Sequence, residues 1–377
     1  MRIPFNKPFS TGMELAYIGE ALASHHLSGD GVFTRRCSDW LQQYTATRKA
    51  LLTHSCTGAL EMAALLAEIG PGDEIVMPSF TFSSTANAFV LRGGVPVFVD
   101  IDERSLNIDV AEIGKAITKK TKAIVPVHYA GIGCDMDEIM QIAEEHRLFV
   151  IEDAAQGVLA SYRGKPLGSI GHLAALSFHE TKNLMCGEGG ALLVNDLSLV
   201  ERAEIIREKG TNRSKFFRGE VDKYTWIDVG SSYLPSELSA AFLWAQCQLA
   251  EEIGKHRLAV WSQYQDAFTD LERTGRVRRP VVLPDREGNA HLYYLLLADP
   301  AERGRVLETL NRVGVNALFH YVPLHSSPAG RRFGRAVGDL PITQEIADRL
   351  IRLPLWVGMT TEDVQFVVTA VRKAVTP

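Results

Sequence analysis

Three short stretches carry residue types that could do chemistry together. The first is Ser55-Cys56-Thr57-Gly58-Ala59-Leu60, where small polar residues open an amphipathic helix with Leu60, Ala63, Ala64 and Ala67 on its apolar face. A helix start offers free N–H groups and a positive dipole end, which together bind phosphate. The second is Phe149-Val150-Ile151-Glu152-Asp153-Ala154-Ala155-Gln156, an apolar strand that runs directly into two acids. An acid at the carboxyl end of a central parallel strand faces the ligand crevice. In the third, Leu173–Phe178 is followed by His179-Glu180-Thr181-Lys182-Asn183, which delivers a lysine to the same edge of the sheet. Singly, each has an ordinary structural reading: an N-cap, a solvated carboxylate, a surface lysine. Together they are the parts that pyridoxal 5′-phosphate needs. A lysine forms the Schiff base, an acid pairs with the pyridinium nitrogen, and a helix end takes the phosphate.

Other chemistries lack their motifs. There is no GxGxxG and no GxxxxGK[ST], and neither HExxH nor paired Cys/His clusters that would suggest a metal site. The cluster Gly187-Glu188-Gly189-Gly190 precedes a strand and reads as a turn into a hairpin.

The elements that must position these residues alternate between apolar runs and amphipathic stretches from about residue 50 to 210. Strands are expected at Glu74–Met77, Val95–Asp100, Lys122–Val127, Leu148–Glu152, Leu173–Phe178 and Gly190–Asn195. Helices are expected at Thr57–Ile69, Ser83–Arg92, Val110–Ile117, Asp135–His146 and Leu199–Lys209. Short apolar strands separated by helices argue for an α/β architecture with a parallel sheet buried on both faces. Residues 234–274 read as one or two long helices. Beyond Gly275 come strands at Val277–Val282, Leu292–Leu297 and Asn316–Tyr321, and helices at Ala301–Val313, Thr343–Arg352 and Thr361–Ala374. We expect a large domain over 1–250 and a smaller α+β domain over 251–377.

Composition excludes several classes. The chain has 377 residues, 46% hydrophobic and 23% charged, with a net charge of −5. A chain of this size buries enough surface to need no disulfide staple. There is no basic surplus of the kind that nucleic-acid binding uses. The cysteines at 37, 56, 134, 186 and 247 form no CxxC pair, and their odd number suits reduced thiols. No apolar run approaches the ~18 residues of a membrane span. The start, MRIPFNKPFSTGMEL, has no apolar core of a signal peptide, so the expected compartment is the cytoplasm.

Asp153-Ala154-Ala155-Gln156, Ser177-Phe178-His179-Glu180-Thr181-Lys182-Asn183 and Gly187-Glu188-Gly189-Gly190 resemble the sugar aminotransferases of the DegT/DnrJ/EryC1/StrS family. The resemblance runs from Gly29-Asp30-Gly31 to Pro323-Leu324-His325. It implies the fold-type I aminotransferase fold, with a mostly parallel seven-stranded sheet and a smaller C-terminal α+β domain. It also implies pyridoxal 5′-phosphate as cofactor and a homodimer with shared active sites. By motif, Lys182 holds the cofactor and Asp153 pairs with the pyridine nitrogen. Gln156 contacts the O3′ side, and Phe82 stacks on the ring. Thr57, the backbone of Cys56 and Gly58, and Ser177 bind the phosphate. Phe80, by contrast, reads as core.

Some relatives carry histidine at the lysine position and dehydrate their substrate; Lys182 favours amino transfer. Many relatives read Gly-Tyr-Asn-Tyr-Arg where this chain has Gly230-Ser231-Ser232-Tyr233-Leu234. Ser232 thus stands where an asparagine usually reaches the neighbouring subunit's phosphate. The missing arginine removes an obvious clamp for the donor carboxylate.

Ser55-Cys56-Thr57, Pro126-Val127-His128-Tyr129-Ala130-Gly131, Glu208–Ser214 and Val221–Trp226 resemble members that aminate C4 of a dTDP-4-keto-6-deoxyhexose. That likeness implies transfer from L-glutamate to dTDP-4-keto-6-deoxy-D-glucose. The products would be dTDP-4-amino-4,6-dideoxy-D-galactose and 2-oxoglutarate. The alternatives are another keto-sugar nucleotide, 3-keto or UDP-linked, or a non-catalytic cofactor-binding regulator. His320, Tyr321 and His325 fall in a segment that the family places near the active site, and His179 adjoins the lysine motif. All four are substrate candidates, although a histidine there can equally be packed or at the surface. The polar stretch Thr211–Tyr224 carries Arg213, Lys215, Arg218 and Lys223. It is either a lid that brings Arg213 and Arg218 to the sugar diphosphate across the dimer or a solvated loop.

Overall fold

The computed structural model describes residues 2–375. Its strands are β1 (Lys49–Thr53), β2 (Glu74–Pro78), β3 (Val95–Val99), β4 (Thr121–Ile124), β5 (Phe149–Asp153), β6 (Ser161–Tyr162), β7 (Lys165–Pro166), β8 (Leu173–Ser177), β9 (Gly190–Val194), β10 (Val277–Arg278), β11 (Arg286–Glu287), β12 (Tyr293–Leu297), β13 (Arg335–Ala336) and β14 (Leu350–Leu353). The large sheet has the order β1-β9-β8-β5-β4-β2-β3-β13. β9 runs antiparallel to both its neighbours, and the remaining strands are parallel.

Helices cover both faces of this sheet, so its strands are apolar throughout rather than alternating. Strand alternation still sorts the side chains. Ile75 and Met77 join Leu60 and Ala63 of the helix Cys56–Leu66. Val76 joins Ile113, Met136 and Ile139 of the helices Val110–Ala116 and Met136–His146 on the opposite face. A separate three-stranded antiparallel sheet, β10-β12-β14, packs Tyr293, Leu295, Ile351 and Leu353 against the helices Ala250–Ala267, Arg303–Arg312 and Thr361–Val375. No helix among the described residues is long and apolar enough to cross a membrane.

The architecture is the expected α/β class of fold-type I, with differences in detail. The sheet has eight strands rather than seven. The eighth, β13, comes from the C-terminal part of the chain and docks on β3. β1 carries no sequence signal beyond Ala50-Leu51-Leu52, too short a run to separate strand from helix. Val277–Val282 shortens to β10, because Pro280 has no N–H for a ladder. Asn316–Tyr321 makes one bridge, Leu318 to Arg352, and otherwise runs as irregular chain. The helix expected over Thr343–Arg352 ends at Arg349, and Leu350–Leu353 becomes β14, because its four residues complete the small antiparallel sheet.

Candidate active site

The carboxyl ends of β1, β2, β4, β5 and β8 open into one cleft of about 550 Å³, within the usual range for small-ligand sites. Its far wall is made by Leu318, His320, Tyr321, Arg352, Leu353 and Leu355 from the C-terminal part of the chain.

At the β5 end, Asp153 is buried. Its Oδ2 accepts from Thr85 Oγ1 at 2.6 Å and its Oδ1 from the Ala155 N–H at 3.1 Å. Thr85 in turn bonds Thr81 Oγ1 at 2.8 Å. Gln156, one turn on, accepts from the Ala130 N–H at 2.7 Å and donates to the Tyr321 phenol at 3.2 Å. The neighbouring acid faces away. Glu152 is fully buried, takes N–H groups from Gly168, Ile170 and Gly171, and lies 2.8 Å from His128 Nε2. Burial alone would raise its pKa, but His128 and these amides hold it below the usual carboxylate range. The Cys134 N–H lies 3.2 Å from His128 Nδ1, and His128 donates its Nε2 hydrogen to Glu152. This pair is internal structure and does not line the cleft.

β8 and β9 are antiparallel neighbours joined by the loop 178–189, and this loop carries Lys182 into the cleft. The turn is closed by the Lys182 N–H on His179 O at 2.9 Å. Asn183 anchors the loop through Asn289 O and His291 Nδ1, at 2.8 and 3.0 Å. Lys182 is half-buried and forms no ion pair among the described residues. Desolvation disfavours its ammonium and lowers its pKa, against the pull of Cys56 and Asp153. An unpaired, partly desolvated amine facing a fixed carboxylate is suited to attack a carbonyl.

At the β1 end, the helix Cys56–Leu66 is capped by Ser55, whose Oγ accepts from the Gly58 N–H at 3.0 Å. The Cys56 and Thr57 amides, first in the helix, have no intrahelical acceptor. Thr57 Oγ1 donates to Ser84 Oγ at 2.9 Å. The expected role of Gly58 is thereby corrected: its amide is taken by the cap, and its position is explained by the His54 and Tyr233 rings packed against it. Burial pushes the Cys56 thiol well up, so it stays protonated. Ser177 closes β8 inside the cleft. The Phe82 ring is 61% exposed at the cleft mouth, whereas Phe80 is buried against Tyr129 and Tyr321.

Cys56, Thr57, Phe82, Asp153, Gln156, Ser177, His179, Lys182, His320 and Tyr321 therefore line one cavity. The donor set fits pyridoxal 5′-phosphate: an unpaired amine, a buried carboxylate with both oxygens oriented, free helix-start amides and an open aromatic face. His320 is held by Tyr129, with OH to Nδ1 at 3.0 Å, and burial pushes its pKa well down, so it is neutral.

Besides Gly58, four expected residues lie outside this chain's cleft. His325 bonds Ser79 Oγ through Nδ1 at 2.7 Å, behind the β2 end. Ser232 bridges to Glu208 and is exposed. Arg218 is held by Glu204 at 2.8 Å and Glu220 at 2.7 Å, and Arg213 lies 3.8 Å from Glu208. The basic segment forms the short helix Arg213–Phe217 rather than an open loop and is partnered by its own chain's acids, and the sequence could not show that Glu204 and Glu208 face it. The cleft also holds residues that the sequence reading missed: Thr85 behind Asp153, and Arg257, His291 and Arg352.

The model of the DegT/DnrJ/EryC1/StrS aminotransferase family matches residues 10–372. The spore coat polysaccharide biosynthesis protein SpsC of Bacillus subtilis is 34% identical over 381 residues, covering 99% of this chain and 97% of that protein. The GDP-perosamine synthase of Caulobacter vibrioides is 32% identical over 378 residues, covering 98% and 97%. A sugar-aminotransferase structure from Streptococcus pneumoniae, in its PLP form, superposes with a TM-score of 0.90 at 25% identity, covering 100% of both chains.

Proposed function

Because the chain belongs to the DegT/DnrJ/EryC1/StrS aminotransferase family, with pyridoxal 5′-phosphate as its cofactor, we propose that it moves an amino group from L-glutamate to C4 of dTDP-4-keto-6-deoxy-D-glucose. The products are dTDP-4-amino-4,6-dideoxy-D-galactose and 2-oxoglutarate. The observation that carries amino transfer is Lys182 itself, an unpaired amine in the same cleft as Asp153. The sugar and its nucleotide rest on the likeness of the four sequence stretches named above.

Bound here, the cofactor supplies the electron sink for a carbanion at the donor Cα and carries the amino group between the two substrates. The chain's residues do the rest. Lys182 Nζ would hold the cofactor and would take the donor's Cα proton as general base. Asp153 keeps a proton on the ring nitrogen, and Thr85 keeps Asp153 in place. The Cys56 and Thr57 amides hold the phosphate, joined by Ser177. Phe82 would stack on the ring and Gln156 would contact its O3′ side, while His320 and Tyr321 would serve the substrate. His179, half-buried within the lysine loop, is assigned to the sugar.

The same reading makes the protein a homodimer. Trp226 is 78% and Phe217 70% exposed on the segment that also carries Arg213 and Arg218, an apolar surface suited to a second copy. In that arrangement Ser232 and the two arginines serve the partner's cleft. Sedimentation analysis tests this, and a monomer that retains full turnover would overturn it.

The deciding experiment is incubation with dTDP-4-keto-6-deoxyglucose and L-glutamate, with product analysis by mass spectrometry and proton NMR. A 4-amino sugar of galacto configuration is expected. A second reading, the same transfer to a keto-sugar on another nucleotide, is favoured by the relative named for GDP-perosamine. Amination of a GDP- or UDP-linked keto-sugar, with the dTDP sugar untouched, would establish it instead.

A further inference from the structure

Arg352 has no task in the mechanism so far. It sits in β14 between Ile351 and Leu353, whose side chains are in the core of the small sheet. Alternation along a strand turns the middle residue to the opposite face. There Arg352 lies beside its ladder partner Tyr294 and lines the cleft. Its Nη2 donates to Phe319 O at 3.0 Å, and its guanidinium lies 4.8 Å from the Phe5 ring centroid. Its Nε is shielded from solvent and has no hydrogen-bond partner. No carboxylate pairs with Arg352 among the described residues. A guanidinium held this way, with a buried donor left unmade, favours an anion.

Of the other charged groups in the lining, Lys182 is assigned to the cofactor and Glu188 lies 3.7 Å from His179. Arg257, also in the lining, gives Nε to Ala290 O at 3.1 Å and Nη2 to His291 O at 2.7 Å. His291 and His320 are kept neutral by burial. Asp153 is bonded to Thr85 and Ala155. Arg352 therefore offers the fork in this wall that has a donor to spare.

Two anions enter a sugar transaminase: the donor's carboxylates and the nucleotide's diphosphate. In an amino acid the α-carboxylate is one bond from the carbon that carries the reacting nitrogen. In the sugar nucleotide the sugar ring separates the diphosphate from the keto carbon. Arg352 is half-buried in the wall, near enough to Lys182 for its charge to help depress the amine. This position suits the short donor, and the diphosphate belongs nearer the rim.

We propose that Arg352 is the binding residue for the α-carboxylate of the amino donor, standing in for the clamp that the Gly230–Leu234 stretch lacks. The proposal rests on the transaminase reading above. Its test uses the holoenzyme and the variants Arg352→Gln and Arg352→Lys. Calorimetry gives the affinities for 2-oxoglutarate and for dTDP. The visible spectrum follows the amino-donor half-reaction with L-glutamate and with isopropylamine, which has no carboxylate. In Arg352→Gln, 2-oxoglutarate affinity should fall about 10- to 100-fold, the worth of a charge-assisted pair. The L-glutamate half-reaction should slow at subsaturating donor by a similar factor. Cofactor absorbance, dTDP affinity and the isopropylamine rate should not change, and Arg352→Lys should recover part of the loss. Unchanged 2-oxoglutarate affinity overturns the proposal, as does a loss confined to dTDP. If Arg352→Gln sheds the cofactor, Arg352→Lys alone decides by the same two affinities. A wild-type protein that binds 2-oxoglutarate through Arg352 but is converted by no amine would sink the transaminase reading and leave the anion site standing.

Discussion

Thr85 Oγ1 donates to Asp153 Oδ2 at 2.6 Å, and since its one hydrogen goes there, Thr81 must donate to Thr85. With the Ala155 amide on the other oxygen, the carboxylate at the β5 end is fixed in orientation before any ligand arrives. Asp153→Asn keeps the shape and removes the charge that holds a proton on the cofactor ring. Turnover should drop about 100-fold or more. Thr85→Val keeps the volume and removes one hydrogen bond to the carboxylate, so a smaller loss, about 5- to 50-fold, is expected. Both are read as kcat at saturating cofactor. Near-normal turnover in Asp153→Asn would mean that another group protonates the ring.

Lys182 should be the residue fixed to the cofactor by borohydride. Peptide mapping checks it, and a label on any other lysine refutes the assignment. Its pH behaviour follows from burial. Desolvation penalises the ammonium, so the amine loses its proton below the ordinary lysine value. The rate of cofactor uptake by the apoprotein should therefore rise with pH and level off below the pH at which exposed lysines deprotonate. A midpoint at the ordinary lysine value would show that the amine is solvated.

These two residues were legible because the local pattern was strong. An apolar strand ending in Asp153, and another delivering Lys182, are signals in consecutive residues. Thr85 was not legible, because a threonine inside a helix looks the same whether or not a carboxylate faces it. Arg352 was hidden for a different reason. Arg349 and Arg352 both suit the last turn of a helix, and only the ladder with Tyr293–Leu297 turns the second into a strand residue facing a cleft. Arg213 and Arg218 were legible only in part. Their charges were plain, but two of the acids that hold them, Glu204 and Glu208, lie in the helix Val200–Arg207 and just past its end, and sequence distance does not show facing.

Arg335 ties the added eighth strand to the sheet. Its Nε and Nη2 meet Oε1 and Oε2 of Glu74 at 2.9 and 2.8 Å. This pairing is the main cause that holds the Glu74 carboxyl below its ordinary value. A depressed folded-state pKa contributes stability above the unfolded carboxylate's pKa, lost as pH falls through the folded one. The arginine side chain is 38% exposed, so screening limits the contribution to about 1 kcal/mol. Arg335→Met should lower the urea midpoint at pH 8, and the difference from wild type should shrink as the pH falls below about 4. An equal difference at both ends of that range would assign the loss to packing instead.

Gly190 opens β9, opposite Thr53 and Ser177, at the point where the backbone of Ser55 and Cys56 passes closest. A Cβ there would fall on the Ser55 carbonyl carbon and the Cys56 nitrogen, which are backbone atoms that cannot rotate away. Gly190→Ala must therefore displace the helix start whose amides are assigned to the cofactor phosphate. Overpacking of this kind costs about 1–3 kcal/mol, and here the displacement falls on the phosphate site itself. Gly187 supplies the control. It has a φ of +83° and open space around its Cα, so Gly187→Ala strains the turn without touching the helix start. We expect Gly190→Ala to weaken cofactor retention about tenfold or more, a strain cost of that size expressed as affinity. Gly187→Ala should lower stability with retention unchanged. Dialysis against buffer, followed by the visible absorbance of each protein, measures it. Equal retention in both variants would show that the phosphate does not depend on the position of Cys56 and Thr57.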